Sequence, residues 1–195
     1  VEGFAGGDRT SIELPRVQRD ILKALKAIGK KVVFVNCSGS AMALVPELES
    51  CDAILQAWYP GQAGGEAVAD VLFGDFNPSG KLPVTFYKNT EQLPDYEDYS
   101  MKGRTYRYMT EKPLFPFGYG LSYTTFEITK GKLSKKVVKA GEPVKFSAQV
   151  KNTGKRDGTE VVQVYVRKVG DEGGPVKTLR GFRRVELKAG ASRNV

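Results

Sequence analysis

The chain has 195 residues, 41% hydrophobic and 27% charged, which is ordinary globular composition with room for one large domain or two small ones. It contains no histidine, which excludes Ser-His-Asp and Cys-His triads, His-ligated zinc and a histidine pH switch. The net charge of +8 is uneven: residues 1–119 hold 13 basic and 15 acidic side chains, residues 120–195 hold 17 and 7. The basic residues of the second half stand mostly singly between apolar ones, so they read as solvated sandwich faces rather than a nucleic-acid track. No apolar run reaches the roughly 18–20 residues that cross a bilayer. Residues 1–5 carry neither the basic start nor the apolar core of a signal peptide.

In chain order, Pro15 suits the first turn of a helix, where its missing N–H costs nothing. Leu14, Val17, Ile21, Leu22, Leu25 and Ile28 follow at helical spacing, and Gly29 ends the run. Residues 31–37 are β-rich, too short for a helix, and predict a buried parallel strand. A short helix is expected over 41–48 despite Pro46, a second strand over 53–58, and a third helix over 66–73 after the glycines at 61, 64 and 65. Helices alternating with strands mean α/β layering with right-handed crossovers. Cys37 closes one strand and Cys51 opens the next, so in parallel neighbours the thiols lie roughly 15–20 Å apart along the strands. A disulfide needs Cα atoms within about 7 Å, so both are expected to be free, mostly buried thiols.

Residues 74–123 change character. A turn at 77–80 and a short strand over 82–87 lead into a Pro-, Gly- and Tyr-rich stretch with too many rings for a free linker. Phe115, Phe117, Tyr119 and Tyr123 are expected to form an ordered joint, with 95–100 its loosest part. From Thr124 the apolar period becomes two, with strands expected over 144–150, 159–166 and 178–187 and a turn at Asn152-Thr153-Gly154. That pattern predicts a β-sandwich, short of the seven strands of a complete one. The expected organisation is therefore an α/β sandwich domain over 1–88, a connector over 89–123, and an all-β sandwich over 124–195 truncated at its C-terminus.

Four segments carry the reading further. They are Asp8-Arg9-Thr10-Ser11-Ile12-Glu13-Leu14-Pro15; Trp58-Tyr59-Pro60-Gly61-Gln62-Ala63-Gly64-Gly65-Glu66-Ala67, continuing through Gly74-Asp75-Phe76-Asn77-Pro78-Ser79-Gly80; Pro113-Leu114-Phe115-Pro116-Phe117-Gly118-Tyr119-Gly120-Leu121-Ser122-Tyr123; and Gly158-Thr159-Glu160-Val161-Val162-Gln163-Val164-Tyr165-Val166 with Leu179-Arg180-Gly181-Phe182. In that order they resemble the C-terminal part of a family 3 glycoside hydrolase, an α/β sandwich domain followed by a fibronectin type III-like module.

The resemblance implies retaining hydrolysis of terminal β-glucosyl or β-xylosyl residues, by bacterial, periplasmic or secreted enzymes that use no cofactor and no metal. One carboxylate attacks the anomeric carbon and another shuttles a proton, the two lying about 5–5.5 Å apart. In the family the nucleophile belongs to an N-terminal barrel, and the acid/base Glu lies shortly before the Asp-Arg motif, where this chain offers only Glu2. Asp8, Arg9, Trp58, Arg104 and Tyr106 are the substrate-pocket candidates: Asp8-Arg9 as an ion pair or a sugar contact, Trp58 and the Tyr-Arg segment as stacking groups or core. Glu13, Glu47, Glu49 and Glu66 read as helix-surface or helix-entrance carboxylates. The implied partners are a β-glycoside or oligosaccharide and the barrel, with neither nucleic acid nor membrane. The alternative from another class is a stand-alone carbohydrate- or surface-binding module.

Overall fold

The computed structural model describes residues 4–5 and 8–195, and the chain divides into two compact units. The first takes the residues up to 69 together with 82–119 and 167–178; the second takes 70–81, 120–166 and 179–195.

In the first unit, β1 (Phe4–Ala5) pairs antiparallel with β2 (Asp8–Arg9). Pro15 caps α1 (Arg16–Ala27), which stops where Gly29 adopts φ +74° and donates its N–H to the Lys26 carbonyl at 3.0 Å. β3 (Val33–Asn36) and β4 (Ala53–Gln56) run parallel, with Val33 opposite Ala53 and Asn36 opposite Gln56. Between them α2 spans Val45–Ser50, later than the sequence predicts. Pro46 tolerates only the first turn, so the helix begins at Val45 and residues 41–44 stay outside it, with Ala43 bridged to Glu13. α3 covers Gly64–Phe73, with residues 64–69 in this unit and 70–73 in the second, and a short α4 covers Thr105–Tyr108.

The strand expected over 82–87 is absent as such. Leu82 donates to the Tyr119 carbonyl and accepts from Gly118 N–H, both at 2.8 Å, and Phe86 donates to the Phe115 carbonyl at 2.9 Å. Pro83, lacking an N–H, stands between these two pairings and interrupts the ladder. The core of this unit gathers Leu14, Met42, Leu44 and Phe86, with Phe34, Trp58 and Phe115 packed against it. Phe115 stacks on Tyr119 at 4.9 Å and Phe117 on Tyr106 at 4.3 Å, so the rings of the Pro- and Gly-rich stretch cover one another.

Cys51 is buried and free, and burial, then the neighbouring Glu47 charge, pushes its thiol pKa up. Cys37 is free but exposed, against expectation, because β3 ends at Asn36 and the buried side of that turn goes to Asn36.

The second unit holds two sheets. β5 (Phe126–Leu133), β6 (Phe146–Asn152) and β9 (Ser192–Asn194) form one, in the order β5-β6-β9 and antiparallel throughout; β7 (Gly158–Val166) and β8 (Thr178–Leu187) form the other. The alternating pattern from Thr124 produces this sandwich because one face of each strand is apolar: Val150, Val162, Val185 and Leu187 meet in its core with Phe126, Ala191 and Val195. Asn152 is fully buried, and its amide is satisfied on all sides. Its Nδ2 donates to the carbonyls of Arg156 (2.8 Å) and Leu187 (3.2 Å), and its Oδ1 accepts from Thr124 Oγ1 (2.7 Å) and Gly154 N–H (3.1 Å).

Candidate functional site

The carboxyl ends of parallel strands are where α/β folds place ligands, because the loops leaving the strands diverge there. In the first unit the ends of β3 and β4 open into a cavity of about 890 Å³. Asn36, the last residue of β3, turns inward; its Nδ2 donates to Gln56 Oε1 on β4 at 2.6 Å and to Ser38 Oγ at 3.1 Å. Gln56 Nε2 returns a bond to the Ser38 carbonyl at 3.3 Å, which locks the first turn of the β3 loop to the neighbouring strand. Arg9 reaches the same loop, with Nη2 on Ser40 Oγ at 2.6 Å and Nη1 on Met42 Sδ at 3.0 Å.

Just after β4 the chain turns sharply. Trp58 has φ +56°, a left-handed conformation that costs an L residue about 1–2 kcal/mol and is found disproportionately at functional sites. The turn sends the Trp58 ring into the core, edge-on to Phe86 at 6.0 Å, and leaves Tyr59 78% exposed at the cavity rim. Gly39 faces that ring so closely that any Cβ there would collide with it. One side of Tyr59 is therefore backed by bare backbone.

Glu13 is the one carboxylate among the described residues lining this cavity. Burial alone would raise its pKa. Bonds from Ser11 Oγ, Thr90 Oγ1 (2.7 Å) and Thr90 N–H (2.9 Å) outweigh that and hold it at about 2. At neutral pH Glu13 carries no proton to give, so it clamps residues 11–13 to residue 90 instead of acting as an acid. Glu47 departs from its expected place on a helix surface: it is 1% exposed, with no hydrogen-bond partner on either carboxylate oxygen. Burial pushes its pKa up against the opposing charges of Arg19 and Lys23. Glu47 directly follows Pro46 in the first turn of α2 and shares the buried side of that helix with Ser50.

The other sequence candidates do not converge. Arg104 braces a loop through Nη2, which donates to the carbonyls of Asp95 (2.7 Å) and Asp98 (2.8 Å). Tyr106 lines a separate, mainly apolar cavity of about 170 Å³ with Thr85, Pro113 and Pro116. Glu2 and the side chain of Asp8 lie outside the described residues. Arg9 alone of the described candidates lines the large cavity, where it is joined by Tyr59, which sequence reasoning passed over. The signal was present: in a Trp-Tyr pair one ring takes the core and the other faces out, but the sequence does not say which. Among the described residues no group of three or more Cys, Asp or Glu side chains is placed to hold a metal ion.

Comparison with known proteins places these features in a lineage. The glycosyl hydrolase family 3 C-terminal domain matches residues 2–123, and a fibronectin type III-like domain matches residues 160–195. The chain is 66% identical over 190 residues to a xylan 1,4-beta-xylosidase of Xylanibacter ruminicola, covering 97% of this chain and 22% of that protein. It is 46% identical over 200 residues to a periplasmic beta-glucosidase of Salmonella typhimurium, covering 96% of this chain and 26% of that one. Among solved structures, the beta-glucosidase of Listeria innocua in complex with glucose superposes with a TM-score of 0.83 at 35% identity, over 97% of this chain and 28% of that one. The chain thus spans about a quarter of the length of the relatives it matches. With most of its length matched by the family's domain, and with residues 160–195 of the β-sandwich matched by the module expected beside it, the chain belongs to glycosyl hydrolase family 3 as an α/β C-terminal domain with a fibronectin type III-like domain.

Proposed function

We propose that this chain is the C-terminal, non-barrel part of an exported, exo-acting, retaining β-glycosidase that removes terminal β-D-xylosyl or β-D-glucosyl residues. The observation that carries the reading is the similarity over nearly the whole chain to a quarter-length portion of proteins named xylosidase and glucosidase. Export rests on the relative named periplasmic.

Retaining hydrolysis needs two carboxylates on one sugar. Neither perturbed glutamate described above suits it, since both Glu13 oxygens are engaged by Ser11 and Thr90 while Glu47 is sealed in the interior. Nucleophile and acid/base are therefore assigned to polypeptide other than the described residues. The surface of α1 supports a larger assembly. Val17, Ile21, Leu25 and Ile28 form its apolar stripe, yet no residue of the helix is buried. A contiguous stripe of this kind marks a surface that another segment covers.

The isolated chain is expected to leave aryl β-xylosides and β-glucosides intact, and joining it to a family 3 barrel is expected to restore hydrolysis. Turnover above background by the pure chain, abolished by Glu2→Gln, would make Glu2 catalytic and end this reading of the division of labour. Failure of every barrel fusion that folds would end the glycosidase reading itself.

A further inference from the structure

We propose that α2 is a pH-operated latch, in which the buried carboxyl group of Glu47 keeps the helix seated over Cys51 while neutral and lets it lift when ionised. The latch is a device within the first unit and does not depend on the glycosidase reading.

α2 is six residues long, less than two turns, so packing and not intrinsic helicity holds it in place. Its packing is inverted. The helix exposes Val45 and Leu48 and buries Glu47 and Ser50, so its seat is polar where an amphipathic helix ordinarily places apolar side chains. Ser50 Oγ is satisfied by the Pro46 carbonyl at 3.1 Å. Glu47 is not, for neither of its oxygens has a hydrogen-bond partner. A carboxyl group buried in this way persists as the neutral acid and is costly as the anion. At the end of the helix, Cys51 donates its N–H to the Glu47 carbonyl at 2.9 Å and keeps its thiol buried. Lifting α2 therefore brings carboxyl and thiol into water together.

Charges also face Glu47 from outside its own helix. Arg19 and Lys23 act on it from α1, which is held there by Leu22, packed on the core, and by Lys26, bonded to Asp52 at 3.2 Å. Glu13 acts from the segment before α1, and Cys51 lies one turn further along. The two cations favour the anion without hydrogen-bonding to it, whereas the Glu13 charge disfavours it. Burial outweighs the cations and holds the Glu47 pKa above its ordinary 4.5. In the lifted state the group is solvated and returns toward 4.5. Below that value the acid is neutral in both states, and the latch is fully shut. As pH rises the lifted state loses its proton first, so its population grows by up to about tenfold per pH unit and levels off above the seated pKa. Leu48 N–H bonds to the Leu44 carbonyl at 3.1 Å, so the same change loosens the end of the β3–β4 loop, whose Ser40 and Met42 line the large cavity.

With Cys37→Ser in place, Cys51 is the remaining thiol of the chain and reports the latch. Its labelling by dithiodipyridine is followed from about pH 5 to about pH 8 with Glu47 present and with Glu47→Gln, which keeps the shape and has no charge to gain. Dividing the two rates at each pH cancels the pH dependence of the thiol's own reactivity. The ratio of the Glu47 rate to the Gln rate should rise by about fivefold or more across that range. Trp58, the single tryptophan, packs edge-on to Phe86 in the core and should keep its fluorescence throughout, which separates a lifted helix from an unfolded unit. Where Glu47→Gln does not fold, Arg19→Gln takes its place. Loss of that cation disfavours the seated anion, so labelling relative to wild-type Arg19 should be equal near pH 5 and about two- to threefold faster near pH 8. A ratio that stays level across the range, or a rise that Trp58 fluorescence follows step for step, overturns the latch.

Discussion

Replacing Glu13 by Gln tests how the segment that enters α1 is held. The Glu13 carboxylate accepts from Ser11 Oγ, from Thr90 Oγ1 at 2.7 Å and from Thr90 N–H at 2.9 Å, joining positions 77 residues apart. These bonds favour the charged form and lower the pKa from 4.5 to about 2. At about 1.4 kcal/mol per unit the shift is worth about 3 kcal/mol, and partial solvent access at this half-buried site brings it nearer 2 kcal/mol. A folded pKa below the unfolded one means the stabilisation is complete above the unfolded value of 4.5 and is lost as pH falls toward 2. Gln keeps the shape and one acceptor but has no charge to lose. Thermal melts followed by Trp58 fluorescence, which reports the first unit, should show Glu13→Gln melting about 4–8 °C lower at pH 7. The gap should shrink steadily below pH 4.5. Thr90→Val should cost little more once Glu13 is already Gln, because the two act as one contact. A gap that stays constant from pH 7 down to the region of the folded pKa, or no gap at pH 7, would refute the clamp.

Glu47→Met removes two buried oxygens without partners and should raise stability at pH 7 by about 1–3 kcal/mol; because burial raises the folded pKa, the gain should fade below the unfolded value of 4.5, as urea melts at pH 7 and pH 4 can check. Asn152→Ala leaves the carbonyls of Arg156 and Leu187 and the Thr124 hydroxyl without their partner, and should cost the second unit about 2–4 kcal/mol by denaturant melting. The basic half should bind duplex DNA only weakly at about 150 mM salt, with affinity falling steeply as salt rises; sub-micromolar binding at that salt would mean its charges do form one track.

What the sequence displays well is anything with a period or a breaker. The spacing of Leu14, Val17, Ile21 and Leu25 gives α1, Gly29 gives its end, and the alternation around Val150 and Val162 gives the sandwich. The limits of β8 at 178–187 are legible for the same reason. Expectation and structure part at the prolines: the spacing predicts a helix running through Pro46 and a strand through Pro83, and in both cases the structure obeys the missing N–H. The site is harder to read because its contacts have no local signature. Glu13 meets Thr90 across 77 residues, and Arg9 meets Ser40 across 31. Nothing in either neighbourhood announces the other, since a serine or threonine hydroxyl satisfies a charged partner wherever the chain brings them together. The Gly39–Tyr59 contact is of this kind as well. Gly39 reads from sequence as an ordinary strand-end turn, and its use becomes visible only when β3 and β4 lie parallel with their carboxyl ends at the same level. That register places the loop after one strand beside the ring after the other. The cavity is thus a consequence of strand pairing, and its residues could be found from sequence only by fixing the register first and then asking what each loop carries at the shared end.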